Sequence, residues 1–278
     1  MLNITVAYII LIFLVLRFSV TLFNFLSNPK LGKYGRHFTD KVTIIIDATE
    51  DTGSLFNLLT AIQQQDYQPV EVIVEVQDVL ALRPEITAFC RNDQRFRWRK
   101  KDADHPNPAE ETEGNYILFL DVNTIINNGL INSMIYRTRV FNLALLSIIP
   151  TQSFTGFKNY CLIPLNNFVL LNLTPLRLIR LIPSAVFSAG SNQCMFFDAA
   201  IYRKYEWEQR LQGRLPEALE VIKAVKQEGF KVETLLGNKL IYTVIPNNID
   251  GFFQKTGRLL LRKFGNNILA ALLYLLLV

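Results

Sequence analysis

The segment Gly114–Thr124 constrains the fold most strongly. An apolar run, Tyr116–Leu120, ends at Asp121, and a second polar residue, Asn123, follows two positions later. This pattern is typical of a buried strand whose last residue places an oxygen ligand at the edge of a sheet. Residues 125–136 then favour a loop and a helix. We therefore expect an α/β domain with a ligand site at the carboxyl edge of its strands.

Strand-like and helix-like segments alternate along the chain. Short apolar runs predict strands at Val42–Ile46, Val70–Val76, Phe96–Trp98, Tyr116–Leu120 and Leu143–Ile149, and a strand pair within Lys231–Val244. Helical spacing predicts helices at Ser54–Gln65 and Val79–Cys90, after Asn128, and at Glu217–Gly229. The charged, proline-containing segment Arg99–Thr112 predicts a flexible loop. The alternation favours a mostly parallel sheet with helices on both faces.

The N-terminal segment Leu2–Leu26 is almost wholly apolar and can cross about 30 Å of hydrocarbon as a helix. No small-residue cleavage site follows it, so we interpret residues 1–27 as an uncleaved transmembrane anchor and residues 28–40 as a linker. A long buried helix is the alternative, which so uniformly apolar a run disfavours. Basic residues follow the run directly, so the positive-inside rule predicts an inner, cytoplasmic membrane location with the main domain facing the cytoplasm.

The C-terminal residues 251–278 combine basic and apolar positions, which predicts association with a membrane. The basic segment Lys255–Lys263 suits an anionic cytoplasmic leaflet better than nucleic acid, so membrane lipid is the expected partner and nucleic acid is not. The uncharged run Ile268–Val278 is too short to cross a bilayer alone. It is expected to lie in the interface, to dock on the N-terminal helix or to begin a longer membrane region.

Residues 161–189 are apolar but are interrupted by prolines, with Arg177 and Arg180 among them. A straight transmembrane helix does not tolerate this pattern easily. Two interpretations remain open: an interfacial segment that receives a lipid-like substrate, or a loop and helix pair that faces the core.

Cysteine and histidine usage excludes some classes of site. The cysteines, at positions 90, 161 and 194, lack metal or redox spacing and indicate a reducing compartment. The two histidines, His37 and His105, have no partner at metal-ligand or triad spacing. A zinc site and a histidine-based hydrolase are therefore not expected.

Five motifs follow one another along the chain: Thr43–Asp51, Gln65–Val74, Leu118–Asp121, Ala189–Phe197 and Glu217–Val232. In this order and spacing they resemble the membrane-bound family 2 glycosyltransferases, and within that family the carotenoid or lipid glycosyltransferase-like group. The resemblance covers residues 41–267 and implies a GT-A domain, which is Rossmann-like, over residues 41–250. It also implies that a nucleotide-sugar binds at the carboxyl edge of the sheet.

The resemblance implies a nucleotide site built from acids at strand ends. Glu50 and Asp51 match the acidic loop that grips the nucleotide base. Gln77 and Asp78 match a pair of acids that holds the nucleotide. Each of the three acids among these residues also has a simpler explanation, as a solvated loop residue or, for Asp78, as the start of a helix.

The resemblance also implies a metal site and a general base. Asp121 and Asn123 match the Asp-x-Asp that holds Mg²⁺ or Mn²⁺ against the diphosphate, and Asp121 also contacts the nucleotide. Glu217 and Glu220 are the candidates for the catalytic base. Asp121 could instead cap the turn after its strand, and Glu217 could simply begin a helix.

Three acids of the family pattern are replaced in this chain, by Gln77, Asn123 and Ala218. An inverting transferase needs a positioned carboxylate to deprotonate the acceptor, and its loss lowers the rate roughly 10²–10⁴-fold. An amide ligates a divalent cation without contributing charge. The chain is therefore either a transferase with displaced catalytic groups or a relative that kept only the fold.

Three functions remain open at this stage. The first is transfer of a sugar from a nucleotide-sugar to a lipid-type acceptor. The second is a catalytically inactive partner or scaffold subunit of a membrane-protein complex. The third is a peripheral lipid-binding protein. Trp98 and the basic residues 99–101 could contact phosphate or be solvated, whereas Trp207 is expected to cover the core.

Overall fold

The computed structural model describes residues 2–48, 53–77, 84–100, 112–153, 171–205, 207, 217–244, 257, 261, 264 and 267–277. The chain divides into two compact units. The first comprises Met1–Asn28, Phe154–Pro175 and Ile245–Val278, and the second comprises Pro29–Ser153 and Leu176–Val244.

The second unit is organised around a mixed sheet of seven strands. The strands are β1 (Val42–Asp47), β2 (Val70–Val76), β3 (Phe96–Lys100), β4 (Tyr116–Asp121), β6 (Leu145–Ile149), β8 (Cys194–Asp198) and β9 (Val232–Leu236). Their spatial order is β3-β2-β1-β4-β8-β6-β9. Only β8 runs antiparallel to its neighbours. A three-stranded sheet, ordered β5-β10-β7, contains β5 (Thr124–Ile126), β7 (Thr151–Ser153) and β10 (Ile241–Val244).

Helices cover both faces of the large sheet. They are α2 (Leu55–Gln63), α3 (Pro84–Asn92), α4 (Leu130–Phe141), α5 (Leu176–Leu181), α6 (Ala199–Tyr205) and α7 (Ala218–Gln227). Ile44 and Leu118 pack in one core layer with α2, α3 and α4. Ile45 and Ile117 pack in the other with α6 and α7. Because adjacent strand residues point to opposite faces, the continuous apolar runs of the sequence supply both layers.

The first unit contains α1 (Leu2–Ser27) and α8 (Ile268–Leu277). Within α1, Ile4–Ser27 is long and apolar enough to cross a membrane. Tyr274 of α8 contacts α1, with its ring 6.0 Å from that of Phe13 and 5.3 Å from the guanidinium of Arg17. The C-terminal run thus contacts the N-terminal helix, which is one of the three arrangements expected for it.

The predicted elements are largely confirmed, with several differences. The short strand β5, Thr124–Ile126, occupies the start of the region where residues 125–136 predicted a loop before the helix, and β7 was not predicted. The helix predicted at Val79–Cys90 is observed at Pro84–Asn92, and positions 79–83 lie outside the described residues. β3 continues to Lys100, so the loop predicted from Arg99 begins later. The strands β9 and β10 belong to different sheets and do not pair with each other. β8 was not predicted as a strand, although Cys194–Phe197 is a short apolar run; its antiparallel insertion between β4 and β6 depends on tertiary pairing.

Candidate functional site

Three acids lie in one row where β2, β1 and β4 approach their carboxyl ends. Asp47 is in register with Glu75 on one side and with Asp121 on the other. Residues in register on parallel strands point to the same face of the sheet, so the row carries three carboxylates on one face. The sequence singled out only Asp121 for a site, and register is the signal that reveals Asp47 and Glu75.

The first carboxylate of the row is already neutralised. Glu75 is 2% exposed. It accepts hydrogen bonds from Arg99, at 3.0 Å from Nε and 2.9 Å from Nη2. Arg99 is therefore the partner of a buried acid in the sheet, which restricts its freedom to meet a phosphate as part of a mobile loop.

Asp121 and Asn123 form a tight turn at the end of β4. The Asn123 backbone N–H donates to Asp121 Oδ1 at 2.8 Å, and the Thr124 hydroxyl donates to the Asp121 carbonyl at 2.7 Å. Asp121 thus makes the turn-capping contact that was its alternative explanation. Both side chains remain partly exposed at the sheet edge.

A network of polar side chains supports the turn formed by Asp121 and Asn123. The Gln193 side-chain amide donates to the Thr243 hydroxyl at 2.8 Å, and that hydroxyl donates to the Asn123 carbonyl at 3.3 Å. Thr243 lies on β10 of the small sheet, so the position of Asn123 depends on both sheets. Sequence reasoning did not identify Thr243 or the side chain of Gln193 as part of the site.

The residues before β8 connect the Asp121 turn to the start of α7. The Gln193 carbonyl accepts the Asp121 backbone N–H at 3.0 Å. The adjacent residue, Asn192, accepts the backbone N–H of Ala218 through its side-chain oxygen. Because Asn192 and Gln193 are consecutive, Asp121 and the first turn of α7 lie at the same edge of the large sheet.

The start of α7 changes how the missing base is interpreted. Ala218 is 2% exposed and packs in the α6/α7 core layer, so an acid at this position would be buried in apolar surroundings. Glu217 is the N-cap residue, is partly exposed and makes no side-chain capping bond to the helix. Glu220 is exposed in the first turn.

The donor set at the Asp121 turn fits a divalent cation only in part. Among the described residues, no group of three or more His, Cys, Asp or Glu side chains is placed to hold a metal. Asp121 offers one carboxylate and Asn123 one amide oxygen, which are hard ligands of the type that Mg²⁺ and Mn²⁺ accept. Such an ion keeps several waters and takes further oxygens from a diphosphate.

The remaining predicted residues are distributed as follows. Gln77 is exposed directly after β2. Glu50, Asp51 and Asp78 lie outside the described residues, so their predicted contacts with a nucleotide stay predictions. Trp207 is 1% exposed and stacks on Tyr205 at 5.4 Å, in agreement with its predicted place in the core.

Solved structures share this architecture. A mannosyltransferase from Pyrobaculum calidifontis, PcManGT in complex with GDP-Man and Mn²⁺, is similar with a TM-score of 0.57 and 12% identity, over 90% of this chain and 71% of that chain. TarS 1–349 of S. aureus in complex with UDP is similar with a TM-score of 0.52 and 14% identity, over 80% of this chain and 65% of that chain. The chain has a glycosyltransferase fold.

At 12% and 14% sequence identity, the similarity to these two structures shows a shared fold alone. No protein-family model and no curated protein sequence matches the chain. The expected mostly parallel α/β architecture of the GT-A type is confirmed, whereas the narrower likeness to the carotenoid or lipid group stays a prediction.

Proposed function

We propose that this protein binds a nucleotide-sugar at the carboxyl edge of β1, β2 and β4 and transfers the sugar to a lipid-type acceptor, as a family 2 glycosyltransferase. The observation that carries the proposal is the link made by Asn192 and Gln193. It joins Asp121, the candidate diphosphate and metal residue, to Ala218, the residue after the candidate base Glu217, at one edge of the sheet. Both similar structures were solved with a nucleotide or nucleotide-sugar bound.

In this proposal Asp121 and Asn123 hold Mg²⁺ or Mn²⁺ together with the diphosphate. The cation would offset the charge that develops on the departing nucleoside diphosphate. Because Asn123 contributes no charge, the site carries one negative charge fewer than an Asp-x-Asp site and depends more on the diphosphate for affinity.

Glu217 is the favoured base of the two candidates. It precedes Ala218, whose backbone is tied to Asn192, so its position relative to the Asp121 turn is set by hydrogen bonds. Glu220 lies one turn further along α7 and is exposed. A carboxylate at the entrance of the helix can accept the proton of an acceptor hydroxyl as that hydroxyl attacks the sugar.

The proposed location is a cytoplasmic membrane, with the second unit facing the cytoplasm. The apolar length of α1 and the basic residues that follow it support this location. An acceptor carried by a lipid would then be confined to the same surface as the enzyme, which raises its local concentration.

The test is calorimetric titration of the detergent-solubilised full chain with GDP-mannose and UDP-GlcNAc, with and without Mn²⁺. We expect binding that depends on Mn²⁺ and weakens at least tenfold in Asp121→Asn, with the exposed Asp66→Asn as the matched control. Glu217→Gln should retain binding but lower transfer roughly 10²–10⁴-fold. Glu228→Gln, at the other end of α7, is its control and should leave both unchanged.

A second candidate function is that of an inactive partner subunit in a membrane-protein complex. The observation that favours it is the hydrogen bond from Asn123 N–H to Asp121 Oδ1, which occupies one of the carboxylate oxygens that a metal would use. Absence of binding to either donor, with the protein folded, would overturn the transferase proposal. Co-purification with a membrane protein would then support the second function.

A further inference from the structure

A buried carboxylate with three arginines around it lies at the β9 edge of the large sheet. Glu233 of β9 is fully buried. Arg137 of α4 binds it with two hydrogen bonds, at 2.6 Å from Nε to Oε2 and 2.7 Å from Nη2 to Oε1. These two parallel hydrogen bonds pair the guanidinium of Arg137 with the carboxylate of Glu233.

Two further guanidiniums, both from α5, lie near Glu233. Arg180 lies 3.3 Å and Arg177 3.5 Å from Glu233 Oε1, at the limits of an ion pair. Among the described residues, three guanidiniums thus lie around the one carboxylate of Glu233. Burial, together with the neighbouring Arg137 and Arg177, lowers the pKa of Arg180 despite Glu233.

The cluster opens to solvent on the side of α5. The side chains of Arg177 and Arg180 are 23% and 16% exposed, against 10% for Arg137. The Phe141 ring lies between Arg137 and Arg180, with centroid distances of 4.1 Å and 3.6 Å, which orients the outer guanidinium. The outer pair is therefore partly exposed and more exposed than Arg137.

An exposed apolar loop continues directly from this pair. Leu181 is 64% exposed and Val186 is 85% exposed. The loop backbone is held from inside by the buried Lys226, whose ammonium donates to the carbonyls of Ile182 at 3.0 Å, Ser184 at 3.3 Å and Phe187 at 2.5 Å. Anchoring these carbonyls keeps the loop ordered while its apolar side chains stay in water.

We propose that Arg177, Arg180, Leu181 and Val186 form a basic-apolar surface that docks the second unit on an anionic phospholipid leaflet. The two guanidiniums bind headgroup phosphates, and the two apolar side chains enter the boundary with the acyl chains. The proposal rests on the membrane location given above and adds the lipid class and the residues that contact it.

An anionic leaflet is the occupant that matches both halves of the surface. Guanidinium forks bind phosphate oxygens in pairs, and arginine remains charged at every physiological pH. Basic residues next to exposed apolar side chains are the combination that interfacial segments use. Each basic residue at such a surface contributes roughly fivefold to affinity for anionic lipid.

The test uses the full chain in lipid nanodiscs of phosphatidylcholine, with or without phosphatidylglycerol. Val186→Trp, in a Trp98→Phe background, reports contact with the leaflet through quenching by lipids brominated on the acyl chain. The other tryptophan, Trp207, is buried and supplies a constant background. Gln64→Trp, at the exposed end of α2, is the matched control position.

We expect strong quenching at position 186 in anionic discs, weaker quenching in neutral discs and little at position 64. Arg177→Gln combined with Arg180→Gln should reduce the quenching at position 186 in anionic discs to the level seen in neutral discs. Arg91→Gln with Lys239→Gln removes the same charge elsewhere and should not. The arginine variant keeps the Arg137–Glu233 pair; if it does not fold, Leu181→Ser, at an exposed position, tests the same surface and should also reduce quenching.

Equal quenching at positions 186 and 64 would overturn the proposal, and so would quenching at position 186 that is the same in anionic and neutral discs. Co-elution with the discs measures anchoring by the rest of the chain separately. The nucleotide-sugar titrations measure the proposed transferase site, so failure of this surface and failure of that site are distinguishable.

Discussion

At the scale of single residues, several acids of the described structure are paired with an arginine. Asp93 and Arg95 give the clearest example near the surface: Arg95 donates from Nε to Asp93 Oδ1 at 3.0 Å and from Nη2 to Oδ2 at 2.7 Å. These hydrogen bonds lower the pKa of Asp93 to about 2, from an ordinary value of 3.8. The charged form of Asp93 therefore stabilises the folded chain.

This pair predicts a defined acid dependence. A carboxyl whose pKa is lower in the folded state contributes stability that is present above its unfolded pKa, near 4, and is lost as the pH falls towards 2. Asp93→Asn should remove that contribution, so the difference in the free energy of unfolding between the two proteins should shrink between pH 4 and pH 2. Denaturant titrations at several pH values measure it. The difference in the free energy of unfolding between the native chain and Arg95→Gln should also shrink between pH 4 and pH 2. A difference that does not depend on pH for either variant would contradict the prediction.

At the scale of elements, the segment before β8 brings the site together by close packing. Gly190 has no room for a side chain, because a Cβ there would lie 2.4 Å from Ile222 Cδ1 of α7 and 2.9 Å from Ser147 Oγ of β6. The Ser147 hydroxyl also accepts the Ser191 backbone N–H at 2.9 Å. The close packing of Gly190 and Ser191 against α7 and β6 allows Asn192 to reach the first turn of α7.

Gly190→Ala should therefore destabilise the protein by about 1–3 kcal/mol, through overpacking against α7. Chemical denaturation measures the loss, and nucleotide-sugar affinity should fall with it if α7 shifts. Ile222→Val removes the atom that is contacted and should restore part of the stability, which a double-mutant cycle would detect. Gly35→Ala is the control, since a Cβ at Gly35 meets nothing within 4 Å. If Gly190→Ala leaves the free energy of unfolding unchanged, the packing of Ile222 against position 190 does not exclude a methyl group there.

At the scale of the whole molecule, the apolar helix α1 of the first unit and the second unit favour different solvents. Leu11 and Val15 of α1 are 55% and 54% exposed, although α1 is apolar along most of its length. Apolar exposure of this extent is stable in hydrocarbon and unfavourable in water. The first unit is not wholly apolar, because Asn24 donates its side-chain amide to the carbonyls of Leu171 and Thr174 at 2.7 Å and 2.8 Å.

Replacing Leu11 and Val15 by Asp should release the protein from membranes. Two acids at the centre of a span cost about 5–7 kcal/mol of insertion free energy. Fractionation of cells followed by alkaline carbonate extraction measures the outcome, with the native chain expected in the pellet and the variant in the supernatant. Gln64→Asp with Val140→Asp adds the same charge to exposed positions of the second unit and should stay in the pellet. Retention of the α1 variant in the pellet would show that α1 is not the anchor.

The sequence by itself determined the α/β class, the apolar first helix and the place of most strands and helices. These follow from local periodicity and from the residues that begin and end each element, and neighbouring residues carry both signals. The stop of α7 is an example, because Gly229 takes a φ of 83° that favours glycine. The Asp121 turn was also visible, since its strand ends abruptly in polar residues.

Only the tertiary structure decided which strand ends meet. The row of Asp47, Glu75 and Asp121 depends on the register of three strands, and the link through Asn192 depends on the insertion of β8. Such pairings join residues far apart in the chain, so no local pattern specifies them. The same holds for Ala218: the sequence shows a missing acid, and only the structure shows that this position is buried among apolar residues of the core.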